Sequence, residues 1–301
     1  MNNQSPTVVW RFTDGHPGHD SQSLGLTSAL GELAAVEQFD FDVQSMRVNF
    51  LNVLFKRFPN IQKFPAPDLL IGAGHSTHWP MLAARRALGG KIIVLMKPSL
   101  PVSWFDAVVV PRHDNLSVAD NIFLTEGALN SIHPGQQHQS GLGLILLGGP
   151  SAEYSWEPGS IVDQVNILIM QQPDIRWMVT SSRRTPPDIL ERFSLLDNTD
   201  TMPHTLCQPG WLAEKMALSG EIWVTEDSVS MLYEALSSGA RVGLIKVPRE
   251  KQGRVSSGVD ALVKQGRIPE PGSFQLTRQE VEPLQEALRC AYWITKQWLN
   301  R

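Results

Sequence analysis

The chain has 301 residues, of which 42% are hydrophobic and 19% are charged, and its formal net charge at pH 7 is -4. This composition is typical of an ordinary globular protein, and the length favours two α/β lobes over a single core. It excludes extensive disorder, and the negative charge argues against general nucleic-acid binding.

The cysteine content and the N-terminal sequence predict a cytoplasmic protein. Cys207 and Cys290 are the only cysteines and have no metal or redox spacing, so we expect two free thiols in a reducing compartment. The first residues lack the features of a secretion signal, and no apolar run is long enough to span a membrane. Peripheral attachment to the inner face of the membrane stays open.

A turn that contains two histidines follows the first predicted strand, Val8–Thr13, and leads into a helix. Ligands of open α/β sheets bind at the carboxyl ends of strands, so this turn is a candidate site. Because imidazole titrates near neutrality, we predict a general base among His16, His19 and Asp14. A metal pair and loop groups without a special role are the alternatives.

Residues 49–65 combine Lys56, Arg57 and Lys63 with a high density of Phe and Leu, and contain no acidic residue. Such a basic and apolar stretch is suited to an anionic membrane surface. The alternative is a core-facing helix with a solvated basic edge. A membrane contact here would suit a lipid-linked acceptor.

Three further apolar runs, at residues 68–74, 91–97 and 107–111, each lead into polar residues. Continuous apolar runs that alternate with helices indicate a parallel sheet that is buried on both faces. The polar residues therefore predict one functional rim, and they include His75, Ser76, Arg112 and His113.

A polar stretch with Pro and Gly, residues 130–141, predicts a linker between two α/β series. We place the first lobe at residues 1–135 and the second at 136–280. A long helix is predicted over 277–299, and we expect the C-terminal segment 281–301 to pack back toward the first lobe.

The second series begins with a strand that leads into a Gly-Gly turn, where a ligand can approach the backbone closely. The next strand ends in Ser-Arg-Arg-Thr. Arginines at a strand end are suited to phosphate, because the guanidinium group matches phosphate oxygens, although a surface basic pair is the alternative. These two turns contribute Gly148, Gly149, Ser182, Arg183, Arg184 and Thr185.

Residues 221–245 predict a strand, a helix and a second strand around one candidate site. Asp227 or Ser228 is suited to cap the helix, whose free first-turn N–H groups are suited to bind a phosphate. Ser230 and Glu234 share a helical side that can face a ligand, and a carboxylate there suits sugar hydroxyls.

The same stretch also has a purely structural interpretation. Any helix after a strand needs an N-cap, and acidic residues near a helix start complement its dipole. Glu226 and Asp227 would repel a pyrophosphate, so at a real site they must turn away, bind a sugar hydroxyl or hold a cation.

Five motifs spread over nearly the whole chain: Asp14-Gly-x-Pro-Gly-His-x-x-Gln, Pro111-Arg-His-Asp, Gly148-Gly-Pro, Ser182-Arg-Arg-Thr-Pro and Thr225-Glu-Asp-Ser-Val-Ser-Met. Together they resemble the family of bacterial proteins related to the plant mitochondrial-fission "elongated mitochondria" factor. Its bacterial members resemble GT-B glycosyltransferases, some associated with lipooligosaccharide outer-core assembly. The plant member resembles an adaptor that recruits a dynamin-like protein.

This resemblance implies an α/β fold of two Rossmann-like lobes that face a cleft, with the nucleotide-sugar on the second lobe. It implies that Ser228 and Ser230 hold the pyrophosphate, Glu234 the ribose, and Arg183 or Arg184 the phosphate charge. The other predicted donor-side residues are Gly148, Gly149, Ser182, Thr185, Glu226 and Asp227, and the acceptor-side residues are His75, Ser76, Arg112 and His113. His75 and His16 stand where we expect Arg and Lys in relatives.

We therefore expect a metal-independent glycosyltransferase that moves a sugar from a nucleotide-diphosphate donor to a cell-envelope glycan or a lipid-linked acceptor, such as the lipooligosaccharide core. No cofactor or metal is expected beyond the nucleotide-sugar, because arginines and the helix start can neutralise the departing diphosphate. A nucleotide-sugar epimerase and a non-catalytic adaptor with the same fold are the alternatives.

Overall fold

The computed structural model describes residues 5–59, 61–112, 116, 119–193, 196–276 and 282–299. The chain divides into two compact units. Unit 1 consists of Met1–Ser131 with Gln285–Arg301, and unit 2 of Ile132–Leu284. Each unit contains one parallel sheet with helices on both faces, so the predicted α/β architecture with two Rossmann-like units is confirmed.

The strands of unit 1 are β1 (Thr7–Thr13), β2 (Val36–Asp42), β3 (Leu69–Ala73), β4 (Lys91–Leu95), β5 (Ala107–Pro111) and β6 (Ile122–Thr125). Those of unit 2 are β7 (Gln139–Leu147), β8 (Arg176–Ser181), β9 (Thr199–Met202), β10 (Ser219–Thr225) and β11 (Arg241–Ile245). The sheet orders are β2-β1-β3-β4-β5-β6 and β11-β10-β7-β8-β9.

The α-helices are α1 (Pro17–Leu33), α2 (Phe50–Leu54), α3 (His78–Leu88), α4 (Pro158–Gln171), α5 (Trp211–Leu218), α6 (Val229–Ser238), α7 (Arg254–Lys264) and α8 (Glu286–Ile294). Within the described ranges, none of the helices has both the length and the apolar character that a membrane crossing requires.

Unit 1 buries both faces of its sheet. On one face α1 and α8 pack Leu30 and Ile294 against the strands. On the other face, α3 joins an aromatic cluster in which the rings of Trp10 and Phe41 lie 4.5 Å apart and those of Trp10 and Phe58 lie 5.4 Å apart. Burial on both faces explains why β3, β4 and β5 are continuous apolar runs.

The C-terminal helix is shorter than predicted. It begins at Glu286 instead of residue 277, and residues 282–285 are not helical. Pro283 lies in this segment and has no N–H group for a helix interior. The Glu286 carboxylate accepts the Glu126 N–H at 2.8 Å, and the Arg289 guanidinium lies 4.4 Å from the centre of the Phe123 ring. These contacts attach α8 to unit 1.

Unit 2 places two tryptophans over glycines of neighbouring strands. Trp177 of β8 is paired with Gly143 of β7, and Trp223 of β10 with Gly243 of β11. A methyl group added at either glycine would lie 2.3 or 2.4 Å from the indole ring, respectively. The two glycines are therefore required for the packing of two completely buried indoles.

Candidate functional site

The order of the unit 2 sheet creates a crevice at one pair of strands. From β7 the chain continues to β8 and β9 on one side, whereas β10 and β11 lie on the other side of β7. Ligands of open parallel sheets bind at the carboxyl ends of the strands at such a switch point. Gly148 follows β7 and Glu226 follows β10, so the predicted donor-side residues lie at the switch point of this sheet.

Asp227 is the centre of a buried network at this point. Its side chain is completely buried and accepts hydrogen bonds from the Gly149 N–H at 2.9 Å and from Trp156 Nε1 at 3.1 Å. It also forms an ion pair with Arg184, whose Nη2 lies at 2.8 Å. The Asp227 carboxylate thus accepts from three protein donors, and these contacts stabilise the turns.

The two glycines after β7 have protein neighbours where we predicted close approach of a ligand. A methyl group added at Gly148 would lie 2.1 Å from Asp227 Oδ2, and one added at Gly149 would lie 2.1 Å from the Arg184 carbonyl oxygen. Both positions need glycine because neighbouring turns pack against them. Packing is thus one reason for glycine at both positions, and their role as contacts of a donor stays a prediction.

Glu226 has a similar supporting position. It is 2% exposed, and its Oε1 accepts a hydrogen bond from Arg249 Nε at 2.6 Å. It lines a cavity of about 610 Å³ together with Arg249 and Lys246. Of the three alternatives for Glu226 and Asp227, the structure favours the first, in which both carboxylates are turned toward protein groups.

The arginine pair after β8 is divided between two roles. Arg184 donates to the Gly149 carbonyl oxygen at 2.6 Å and pairs with Asp227, so it belongs to the buried network. Arg183 is exposed, and it has no hydrogen bond or ion pair with any residue in the described part of the chain. Ser182 and Thr185 join this turn to the end of β7, since both hydroxyls donate to the Gly148 carbonyl oxygen.

Helix α6 begins without a side-chain cap. Ser228 is the N-cap residue, but its hydroxyl makes no capping hydrogen bond, and the Asp227 carboxylate is occupied elsewhere. The prediction that either side chain caps the helix is therefore wrong. The first turn itself contains no acidic residue, and it exposes Ser230.

Glu234 is the most unusual carboxyl group of unit 2. It lies on α6 one turn after Ser230 and is half-buried, with no hydrogen-bond donor in the residues that the structure describes. Burial raises its pKa to about 7. A half-buried carboxyl group without a protein partner is costly, and such groups cluster at binding and catalytic sites.

Unit 1 has its own switch point between β1 and β3, because the chain goes from β1 to β2 on one side and to β3 on the other. Asp14 follows β1, and its Oδ2 accepts from His19 Nδ1 at 2.9 Å and from the Ser76 hydroxyl at 3.1 Å. Burial alone would raise the pKa of Asp14, but the hydrogen bonds from His19, the His16 N–H and Ser76 hold it below the ordinary value.

The imidazole of His19 is oriented by Asp14. With the proton on Nδ1, its Nε2 is left as a free acceptor, which is the arrangement of a base held by a carboxylate. The His16 ring is exposed and lies 4.5 Å from the His19 ring, centre to centre. Gly74, which follows β3, has a φ of +84°, and a methyl group there would lie 2.6 Å from His19 Nδ1. The backbone after β3 therefore packs closely against the His19 ring.

The other predicted acceptor-side residues are less closely connected. His75 is exposed and lies beside the buried His78, whose pKa is lowered to about 4 by burial and, to a smaller extent, by His75. Arg112 forms an ion pair with Glu126 at 2.5 Å. His113 lies outside the described residues.

An Asp-x-Asp sequence, which holds a divalent ion in many sugar transferases, does occur at Asp40-Phe41-Asp42 in β2. Its carboxylates have structural partners: Asp40 pairs with Arg11, and Asp42 accepts the Gln44 N–H at 2.9 Å. No group of three or more potential metal ligands was found among the described residues. The metal alternative for the two histidines of the first turn therefore has no third ligand there.

Comparison with known proteins places the chain in a family. Residues 17–298 match the family model described as Mitochondrial fission ELM1. The chain belongs to the mitochondrial fission ELM1 family. The family predicted from the five sequence motifs is thus confirmed. An uncharacterized protein of Rickettsia prowazekii (strain Madrid E), RP120, is 22% identical to this ELM1-family chain over 352 residues, which cover 94% of this chain and 96% of that protein.

Solved structures share the fold of this ELM1-family chain. The UDP-GlcNAc 2-epimerase from Neisseria meningitidis, bound to UDP-GlcNAc, has a TM-score of 0.59 at 13% identity, covering 99% of this chain and 100% of the epimerase. A glycosyltransferase from Rickettsia africae has a TM-score of 0.50 at 11% identity, covering 99% and 100%. At these identities the likeness concerns the fold, which is that of GT-B glycosyltransferases and related epimerases.

Proposed function

We propose that this chain is a GT-B glycosyltransferase that moves a sugar from a nucleotide-diphosphate donor to a cell-envelope glycan or lipid-linked acceptor, such as the lipooligosaccharide core. The observation that carries the proposal is Glu234: a half-buried carboxyl group with a raised pKa and no partner among the described residues, on the helix at the switch point of unit 2. A ribose would supply the hydroxyl donors that the carboxylate lacks.

In this proposal the start of α6 and Arg183 bind the diphosphate. The first-turn N–H groups of a ten-residue helix offer hydrogen bonds and a positive dipole end to an anion. Arg183 is exposed and uncommitted, so its guanidinium group is available for phosphate oxygens, whereas Arg184 holds the buried network. These groups would stabilise the charge on the departing diphosphate without a metal ion.

His19 is the proposed base, with His16 as the alternative. A bond forms between the acceptor oxygen and the anomeric carbon of the sugar while the bond from that carbon to the diphosphate breaks. The proton of the acceptor hydroxyl passes to His19 Nε2, and Asp14, at 2.9 Å from Nδ1, stabilises the resulting imidazolium.

Binding of nucleotides tests the donor site. UDP, GDP, ADP, CMP and their sugar derivatives are added at millimolar concentration, and the melting temperature is measured for wild type, Glu234→Ala and Arg183→Ala. A ligand that binds the folded protein raises the melting temperature, and we expect both variants to lose the increase. Arg192→Ala is the matched control, because Arg192 is an exposed arginine elsewhere in unit 2.

The outcomes separate the proposed function from its alternatives. If no nucleotide changes the wild-type melting temperature, the donor site is absent and the adaptor is favoured. If a nucleotide-sugar binds, mass spectrometry of the products decides further: a free epimer indicates an epimerase, which shares this fold, and a sugar attached to a glycan indicates the transferase.

A further inference from the structure

Helix α2 of unit 1 exposes four large apolar side chains. Phe50, Leu51, Leu54 and Phe55 are 52%, 55%, 56% and 62% exposed, and we call them the α2 patch. Soluble proteins do expose single apolar residues, but four such side chains in six consecutive residues form a contiguous apolar surface. This surface therefore requires an explanation beyond ordinary exposure.

A capping box and core packing determine the orientation of α2. Asn49 and Asn52 form a capping box at its start, and Val53 points inward, where it packs against the core. Phe58 is 6% exposed and belongs to the aromatic cluster around Trp10. Val53 of α2 and Phe58, which follows the helix, therefore face the core, whereas the α2 patch faces outward.

Tryptophan side chains extend the patch beyond the segment 49–65. The ring of Phe50 lies 5.7 Å from that of Trp79, which lies 6.2 Å from that of Trp104, itself 40% exposed. Tryptophan is enriched at the boundary between lipid and water, because its ring is apolar and its N–H is polar. The aromatic extension is typical of an interfacial surface.

Basic residues precede and follow the patch in the sequence. Arg47, Lys56, Arg57 and Lys63 are exposed, and none of them pairs with a carboxylate in the described part of the chain. No Asp or Glu occurs between residues 42 and 68, although the whole chain has a net charge of -4. The guanidinium group of Arg57 lies 6.0 Å from the centre of the Phe55 ring, so charge and apolar surface are directly adjacent.

We infer that the α2 patch, with Trp104 and the four basic residues around it, docks on an anionic phospholipid bilayer. Apolar side chains would enter the boundary of the acyl chains while the lysines and arginines bind the phosphate groups. A protein partner fits less well, because protein interfaces are depleted in lysine and acidic partners would leave the aromatic surface uncovered.

This inference also deepens the proposed function and rests on it in one respect. Trp79 lies in the first turn of α3, directly after the turn that contributes Ser76 to the Asp14 cluster. A membrane on the patch would therefore bring a lipid-linked acceptor close to the proposed base, His19.

Binding to vesicles tests the inference. The full chain is sedimented with vesicles of phosphatidylglycerol and phosphatidylcholine in equal parts, and with vesicles of phosphatidylcholine alone. Burial of one half-exposed leucine corresponds to about a tenfold change in partition coefficient, so Leu51→Asp with Leu54→Asp should weaken binding about 100-fold. Lys56→Gln with Arg57→Gln should weaken binding about 30-fold on the anionic vesicles only.

Control variants make the result specific. Met170→Asp changes a side chain that is 67% exposed in unit 2, and it should leave vesicle binding unchanged. All variants should keep the wild-type melting temperature, because the altered residues are exposed. The inference is overturned if wild type does not sediment with anionic vesicles, or if Met170→Asp weakens binding as much as the leucine variants.

Two further outcomes separate this inference from others. If the leucine variants dissociate a dimer in analytical ultracentrifugation and leave vesicle binding intact, the patch covers a second copy of the chain and the inference is wrong. Glu234→Ala should bind vesicles as wild type does, and the leucine variants should keep the nucleotide-induced melting shift. Failure of the donor site and failure of membrane docking are thus distinguishable.

Discussion

Glu234→Gln should make the protein more stable while it abolishes nucleotide binding. The carboxyl group has a pKa of about 7 in the folded state against an ordinary value of 4.5, because burial disfavours its charged form. This difference corresponds to about 3 kcal/mol of stability that the folded state loses when the group ionises. Glutamine has nearly the same shape and cannot ionise, so it removes this cost.

The sign of the effect depends on pH. A raised pKa means that the folded state binds the proton more tightly than the unfolded state does. The cost is therefore absent below the ordinary pKa, grows as the pH rises from about 4.5 to about 7, and is complete above that. We expect Glu234→Gln to match wild type at about pH 4 and to exceed it by about 3 kcal/mol at about pH 8.

Urea unfolding at both pH values measures the difference. Because tryptophans occur in both units, hydrogen exchange of the β10 and α6 backbone amides at each urea concentration reports the unit that contains Glu234. Glu157→Gln is the matched control, since Glu157 is exposed in the same unit and should show no gain that depends on pH. The nucleotide-induced rise in melting temperature is measured on the same samples.

Two results would contradict this reasoning. If Glu234→Gln is less stable than wild type at the higher pH, the carboxylate has a stabilising partner and is not an open ligand site. If the gain is equal at both pH values, ionisation is not its cause. A stabilised variant that still binds nucleotide would separate the two effects and remove the ribose contact from the proposal.

Two further predictions concern the buried network. Gly148→Ala places a methyl group 2.1 Å from Asp227 Oδ2 and should lower the free energy of unfolding by about 3 kcal/mol, whereas Gly159→Ala, with nothing within 4 Å, should change it by less than about 1 kcal/mol. Equal effects in urea unfolding would refute the packing role. Arg249→Ala leaves Glu226 buried without its guanidinium partner and should cost about 3 kcal/mol, with partial recovery in Arg249→Lys. An unchanged urea midpoint for Arg249→Ala would show that Glu226 finds another donor.

The sequence predicted the strands that are buried on both faces and missed three of the four strands at the sheet edges, the edge strand β11 being predicted. The continuous apolar runs of β3, β4 and β5 predict strands, because a strand that is covered on both faces has apolar side chains on both faces. The missed strands β2, β6 and β9 all lie at a sheet edge. Edge strands bury fewer side chains and lose the periodic signal, as the polar sequence of β2 illustrates.

The candidate site was predicted in location better than in detail. Glycines, histidines and acidic residues at strand ends identified both switch points, because parallel strands bring their carboxyl ends to one rim. The partners of Glu226 and Asp227 were missed, since Trp156 and Arg249 are distant in sequence. A signal did exist: two adjacent carboxylates directly after a buried strand require donors from neighbouring strand ends.

Helix α8 packs into unit 1 although it follows unit 2 in the chain. Synthesis of unit 1 therefore begins before that of unit 2 but ends after it. During translation, unit 2 leaves the ribosome as one continuous segment and can fold as soon as it emerges. The first sheet must wait with the surface around Leu30 uncovered until Ile294 arrives. We therefore expect the N-terminal sheet of the nascent chain to expose this apolar surface until α8 is present, although that sheet is made first.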